Sequence, residues 1–483
     1  MNRYDTPAAP RLASAEVLVR PQVLVYSDVI MAKPKRGDRV ELVVDDLAFG
    51  GDGVGRLDGY VVFVRGGLPG DRLRVRMTET RARFGRAVVD AVLAPSPDRV
   101  EAPCPYFGRC GGCRLQHLAY PAQLALKERQ VRETLTRLGG LPPFELRPIV
   151  PAPAPYGYRN KMEFTVGAGP APYLGLHEAE RYDVVLDIER CLLQSETMNA
   201  LLDELQRQVR GRGLSVWDPA TERGLLRFVA VREGQRTGEA MVNVVASAAD
   251  VETLVPVAEA LRARVPATTS VVLNVNDTKS SVAIGSEEHL LLGRDHITER
   301  LGEVAFRVSA ASFFQTNTVQ AECLFALAAE ACALTGDETV LDLYAGTGAI
   351  SLLLARRARH VYGIELAPAA VADAVRNAQA NGITNCTFLT GEVRHVLPTL
   401  AADGVRPEVV VADPPRAGFH PKALGALAGL GPARIVYVSC NPSTLARDLG
   451  DLGRQGYRLD WVQPVDMFPQ TPHIEAVARL TRA

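Results

Sequence analysis

No stretch of this chain approaches the roughly 18 continuous apolar residues of a membrane-spanning helix. Residues 1–30 carry Arg and Asp throughout and lack the apolar centre of a secretory signal. Both absences point to the cytoplasm and away from a membrane partner. Cysteine is scarce. Eight in 483 residues is no disulfide framework, so metal ligation or catalysis is the expected use. Internal repeats and low-complexity tracts are missing as well. So is any excess of charge: the net of −1 argues against a uniformly basic nucleic-acid binder. The balance is uneven, however. Residues 31–160 hold 21 Lys/Arg against 14 Asp/Glu, a net of +7; residues 1–30 hold three of each, which leaves −8 for residues 161–483. A basic front half is a candidate footprint for a phosphate backbone, or a solvated surface.

The length predicts two or three domains. Residues 1–30 read as a tail without periodicity. Residues 31–94 alternate in short strands (Arg39–Val44, Tyr60–Val64, Asp71–Met77 and Arg83–Leu93) separated by turns such as Gly50-Gly51-Asp52-Gly53. That pattern predicts a small β-barrel, and its size and charge resemble a TRAM domain, an RNA-binding module. Residues 95–312 read as a mixed α+β domain, with a helix predicted over Tyr120–Gly139, its apolar face made by Leu124, Val131, Leu135 and Leu138. From residue 313 strands and helices alternate, the pattern of a doubly wound sheet.

Three cysteines fall within ten residues, Cys104, Cys110 and Cys113, in a C-x5-C-x2-C run whose Gly111-Gly112 lets the backbone wrap tightly. Clustered thiolates suit a soft metal centre. A zinc ion or an iron–sulfur cubane needs a fourth ligand: Cys191 is the candidate and His117 the competitor. Zinc knuckles usually pair C-x2-C with a second such pair, which is not present here.

The doubly wound part carries the chemistry. Its first strand, Thr339–Tyr344, runs into Ala345-Gly346-Thr347-Gly348-Ala349, a turn that lets backbone approach a nucleotide-like ligand. Glu365 ends the next strand at the spacing where an acid accepts ribose hydroxyls. No Lys-Ser/Thr follows the glycines, so the turn is not a phosphate-cradling loop, and S-adenosylmethionine is favoured over a dinucleotide. Asp413-Pro414-Pro415-Arg416 follows the fourth strand and Ser439-Cys440-Asn441-Pro442 the fifth, so Glu365, Asp413 and Cys440 converge on the ligand edge of one sheet. A Cys there is a candidate nucleophile. Glu475, flanked by apolar neighbours in a last strand, is either a desolvated functional group or an outward surface residue.

On Phe314-Gln315-Thr316-Asn317, Asp342-Leu343-Tyr344-Ala345-Gly346-Thr347-Gly348, Asp413-Pro414-Pro415-Arg416, Ser439-Cys440-Asn441-Pro442 and His473-Ile474-Glu475, the chain resembles an RNA uracil-5-methyltransferase of the RumA/TrmA type. The barrel and the four cysteines resemble the branch that methylates 23S ribosomal RNA. The resemblance implies a [4Fe–4S] cluster on Cys104, Cys110, Cys113 and Cys191. It also implies that Cys440 is the nucleophile, that Glu475 is the general base, and that Gln315, Tyr344, Gly346, Ala349, Glu365, Glu392 and Asp413 bind S-adenosylmethionine. Ala349 stands where many members have Asn, and Thr316 replaces a common Val. Phe313, Arg159 and Lys161 are candidates for holding displaced RNA. A monomer with no protein partner is expected. Three readings compete: the same methylation on tRNA or at another 23S site, an amino-methyltransferase with an Asp-Pro-Pro loop, and a non-catalytic RNA-binding paralogue. Arg416 and Cys440 count against the second, and retention of Cys440 with Glu475 counts against the third.

Overall fold

The computed structural model describes residues 33–280 and 285–483; the expected N-terminal tail lies outside the described residues. Five strands close a barrel: β1 (Arg39–Leu47), β2 (Gly53–Leu57), β3 (Tyr60–Arg65), β4 (Arg72–Thr80) and β5 (Phe84–Ala94), in the order β1-β2-β3-β5-β4. Strict alternation builds it. In β4 Leu73, Val75 and Met77 are fully buried while Arg72, Arg74 and Arg76 face out. The second strand escaped the sequence reading because its glycines look like a turn. Closure requires them: a Cβ on Gly55 would lie 2.6 Å from the Val43 carbonyl oxygen. Leu47 and Leu68 of the barrel share an apolar cluster with Leu115, Leu118 and Leu126.

Helix α1 (Tyr120–Gly139) starts with Pro121 in its first turn and ends at Gly140, which adopts φ +55°. Its buried stripe differs from the predicted one. Gln123, Lys127, Val131 and Leu135, spaced by four, face inward, whereas Leu138 is 66% exposed. Two polar members hid the stripe from an apolar-periodicity argument. Strand β6 (Glu145–Leu146) follows and joins the C-terminal sheet.

The central sheet comprises β7 (Lys161–Gly167), β8 (Tyr173–Glu178), β9 (Arg181–Asp187), β10 (Leu226–Glu233), β11 (Ala240–Ala246), β12 (Thr268–Val275) and β13 (Glu287–Gly293), in the order β13-β12-β11-β10-β7-β8-β9. Helices α2 (Glu196–Arg212) and α3 (Val251–Arg264) pack on it. A hairpin, β14 (His296–Leu301) and β15 (Val304–Ser309), shares one apolar cluster with the C-terminal sheet and with Met241 and Val272 of the central sheet.

The C-terminal unit alternates α4 (Thr318–Cys332), β16 (Thr339–Leu343), α5 (Ala349–Ala355), β17 (His360–Glu365), α6 (Pro368–Ala380), β18 (Cys386–Thr390), α7 (Val393–Ala402), β19 (Val409–Ala412), α8 (Pro421–Leu430), β20 (Arg434–Ser439) and α9 (Pro442–Arg454). It closes with β21 (Tyr457–Val465) and β22 (Glu475–Arg482). Sheet order is β18-β17-β16-β19-β20-β22-β21-β6. β16 and β19 are buried along their whole length, as strands covered on both faces must be. Strand order reverses between β16 and β19, and open α/β sheets bind ligands at that switch point. β22 inserts antiparallel between β20 and β21, so β21 reaches the edge only with β6 beside it.

Candidate active site

The turn after β16 is built from residues in the left-handed region: Tyr344 at φ +67°, Gly346 at +55° and Gly348 at +83°. Gly348 is tightly enclosed, since a Cβ there would lie 3.1 Å from the Ala374 Cβ. At Gly346 nothing stands within 4 Å, so its outer side faces open cavity. The Gly346 amide donates to Glu365 Oε2 (3.0 Å) and the Ala367 amide to Oε1 (2.8 Å), which fixes that carboxylate at the end of β17. Tyr344 packs edge-on against Phe419, which packs against Tyr437; ring centroids are 5.7 and 5.3 Å apart. Glu392 sits at the start of α7, paired with Arg394.

Cys440 and Glu475 meet through strand register. Ser439 of β20 pairs with Ala476 of β22, so the next residue along each strand brings Cys440 and Glu475 side by side. Glu475 is 4% exposed and so faces inward, not outward. Burial pushes its carboxyl well above the ordinary range, Asp413 adds to the shift and Arg416 opposes it. Burial likewise pushes the Cys440 thiol up to about 11, with Glu475 and Asp413 adding and Arg416 opposing. Asp413, at the end of β19, is raised to about 7 by burial.

These groups line one cavity of about 1120 Å³. Gln315, Tyr344, Gly346, Ala349, Glu365, Glu392, Asp413, Cys440 and Glu475 all border it, as does Phe313, which is 72% exposed at its rim. Asn160 Nδ2 donates to the Gln315 carbonyl (2.9 Å) and holds that segment. Arg159 and Lys161 do not border this cavity. The Arg159 Nε donates to the Lys161 carbonyl (2.9 Å), and Lys161 pairs with Glu163. Sequence reasoning assigned no role to Asp342, Arg394, Arg416 or Phe468, all of which border the cavity. Asp342 and Arg416 stood inside recognised motifs; nothing in the local sequence marked Phe468 or Arg394.

Cys104, Cys110, Cys113 and Cys191 border a second cavity of about 570 Å³, together with Arg159, and none of the four is in a disulfide. His117, the competing fourth ligand, turns toward the barrel, where Arg99, Gly66 and Asp71 surround it. Burial raises the Cys113 thiol to about 12 and the neighbouring thiols add to it. Among the described residues no group of three or more His, Cys, Asp or Glu is arranged to hold a single metal ion. No helix among them is long and apolar enough to cross a membrane.

A family profile described as tRNA (Uracil-5-)-methyltransferase matches residues 258–483, and one described as TRAM domain matches residues 33–89. The chain is 40% identical over 449 residues to an uncharacterized RNA methyltransferase of Halalkalibacterium halodurans, covering 93% of this chain and 98% of that one. It is 41% identical over 470 residues to another from Chlorobaculum tepidum, covering 93% and 97%. Among solved structures it is similar to Pyrococcus abyssi tRNA (uracil-54, C5)-methyltransferase in complex with S-adenosyl-L-homocysteine, with a TM-score of 0.73, 32% identity, and coverage of 91% of this chain and 99% of that one.

Proposed function

Because the chain belongs to the TRAM-containing family of S-adenosylmethionine-dependent RNA uracil-5-methyltransferases, we propose that it methylates C5 of a uridine through a covalent adduct on Cys440. The observation that carries this reading is that Cys440 and the buried Glu475, each one residue beyond the Ser439–Ala476 pair, both line the cavity that also contains the Gly346 turn. Uracil C5 is a poor nucleophile. Addition of the Cys440 thiolate to C6 makes C5 enolate-like. S-Adenosylmethionine, when bound, supplies the methyl group as a sulfonium electrophile. Glu475 then takes the C5 proton, and Cys440 leaves by elimination. Desolvation raises the proton affinity of the Glu475 carboxylate and so makes it a stronger base than an exposed one.

Gln315, Tyr344, Gly346, Ala349, Glu365 and Glu392 hold the cofactor in this reading, with Asp413 between cofactor and base. The target base leaves its stack to reach the thiol, and Phe313 at the rim is a surface for it to stack on. The barrel supplies backbone affinity. Four free thiols on one cavity fit a [4Fe–4S] cluster held by Cys104, Cys110, Cys113 and Cys191. The cluster is structural, since transfer from a sulfonium moves no electron.

The barrel and cysteine pattern favour 23S ribosomal RNA as the target. A second reading, tRNA, draws support from the Pyrococcus enzyme, which by its name acts on tRNA uracil-54 and aligns over 99% of its length. Mapping 5-methyluridine in both RNAs from a deletion strain separates them. The chemistry is tested on a denaturing gel with methyl-labelled cofactor. Cys440→Ala should transfer no methyl. Glu475→Gln should add and methylate but not eliminate, and so trap a denaturant-resistant, labelled protein–RNA complex. Normal product release from Glu475→Gln would remove that residue from the mechanism.

A further inference from the structure

The chain between β21 and β22, residues 466–474, leads directly into Glu475. It has almost no regular structure of its own, yet five consecutive carbonyls in it each meet a donor from outside the hairpin. Gln320 Nε2 donates to the Asp466 carbonyl (3.0 Å), Asn317 Nδ2 to Met467 (2.9 Å), Lys127 Nζ to Phe468 (3.2 Å) and Tyr158 Oη to Pro469 (2.9 Å). The Arg114 and Leu115 amides, just past Cys113, both donate to Gln470 (3.0 Å each). Exposed turns leave such carbonyls to water; here the protein satisfies all five.

Side chains of α1 tighten the hold. Lys127 Nζ lies 2.6 Å from Asp466 Oδ1, with both side chains essentially excluded from solvent. Tyr120 Oη donates to Asp466 Oδ2 (2.8 Å). Gln123 Nε2 donates to Gln470 Oε1 (3.0 Å), and Gln123 Oε1 accepts from the Gln470 amide (3.1 Å). Gln470 itself is held at φ +68°, a conformation its side chain disfavours and its surroundings impose. The turn also supplies a wall of the catalytic cavity, through Phe468. Its far end is closed by the pairing of Val465 with Glu475.

We propose that Lys127 and Gln123 of α1 are positioning residues for Glu475: they fix the 466–470 turn, and the Val465–Glu475 register then sets the carboxyl beside Cys440. This rests on Glu475 being the base for elimination. Loosening the turn should therefore slow elimination specifically, by up to about 10²-fold for a displacement near 1 Å.

The test uses the full chain, target RNA and methyl-labelled S-adenosylmethionine, and reads the ratio of label trapped in denaturant-resistant protein–RNA complex to label in released RNA. Gln123→Leu removes the bonds to Gln470. Lys127→Met with Asp466→Asn removes the ion pair without leaving a lone buried charge. Gln470→Gly keeps the positive φ, removes only the side-chain bond to Gln123, and serves if the others do not fold. The expected result is a raised ratio with an unchanged KM for S-adenosylmethionine. A merely structural role lowers complex and product together, and a wild-type ratio in the folded variants overturns the proposal. If Glu475→Gln traps the complex while the turn variants do not, positioning alone fails. If Glu475→Gln does not trap it either, the base assignment fails and the proposal falls with it.

Discussion

Cys440 should be a slow thiol in the free protein and should speed up far into the alkaline range. The cause is burial first, then the carboxyls of Glu475 and Asp413, against the Arg416 guanidinium. A thiol at about 11 is thiolate in roughly one molecule in 10⁴ at pH 7, against about 3% for an ordinary cysteine. Alkylation by iodoacetamide should therefore be on the order of 300-fold slower than for a free thiol at pH 7, and should keep rising about tenfold per unit past pH 9. An ordinary thiol levels off above about 8.5. The assay is peptide mass spectrometry of the Cys440 segment after timed alkylation, without RNA. Two variants test the causes with opposite signs. Asp413→Asn removes a negative charge and should accelerate alkylation; Arg416→Gln removes a positive one and should slow it. A rate that levels off near pH 8.5, or variants that move in the wrong direction, would refute the electrostatic account. If it holds, the resting nucleophile is shielded from adventitious alkylation.

Gly348→Ala should destabilise the protein by about 1–3 kcal/mol, because a Cβ must fit beside Ala374 and Phe388 at a positive φ; a denaturant melt measures this, and a wild-type midpoint would show that the turn relaxes freely. Anaerobically purified protein should be brown with about four iron per chain, as a cubane requires, and Cys113→Ser should lose that iron; stoichiometric zinc without iron would replace the cluster reading.

What could be read from the sequence follows from how local each signal is. The glycine turn, Glu365, Asp413 and Cys440 were placed because each directly follows an apolar strand, and strand ends point to one edge whatever the rest of the chain does. β2 was missed because Gly53 and Gly55 carry no side chain to show alternation, while the barrel needs that bareness for close approach. The stripe of α1 was misdrawn because Gln123 and Lys127 are buried polar residues whose partners, Gln470 and Asp466, lie more than 300 positions away. Glu475 remained ambiguous for the same reason. Its inward face depends on β22 inserting between β20 and β21, a pairing no short window encodes. Cys191 was the candidate fourth ligand and His117 its competitor; Cys191 lies on the thiol cavity, whereas His117 lies against the barrel.

Asp342 offers a test of how the cavity recognises its cofactor. Its side chain is 1% exposed. Oδ2 accepts from Ser351 Oγ at 2.6 Å, and Oδ1, at the cavity wall, has no protein partner. Burial raises the carboxyl from 3.8 to about 7; the Ser351 hydroxyl opposes the shift, and Asp413 and Glu365 add to it. A folded-state pKa raised in this way contributes stability that is fully present below the unfolded value and is lost as pH rises through about 7. About two pH units of that loss fall between pH 5 and about 7, on the order of 3 kcal/mol, so the cofactor-free protein should be distinctly less stable at pH 8 than at pH 5. S-Adenosylmethionine carries a sulfonium and an ammonium, and either cation near Oδ1 favours the ionised carboxylate. Binding should then release a proton near pH 7, and the rise in Tm that the cofactor causes should be larger at pH 8 than at pH 6. Asp413 titrates in the same range, which makes Asp342→Asn the deciding variant: it should flatten the pH dependence of the cofactor-induced Tm shift and abolish the proton release seen by calorimetry in buffers of different ionisation enthalpy. Equal shifts at pH 6 and pH 8 in the unaltered protein, or a pH dependence that survives in Asp342→Asn, would show that the cofactor's charge is met elsewhere.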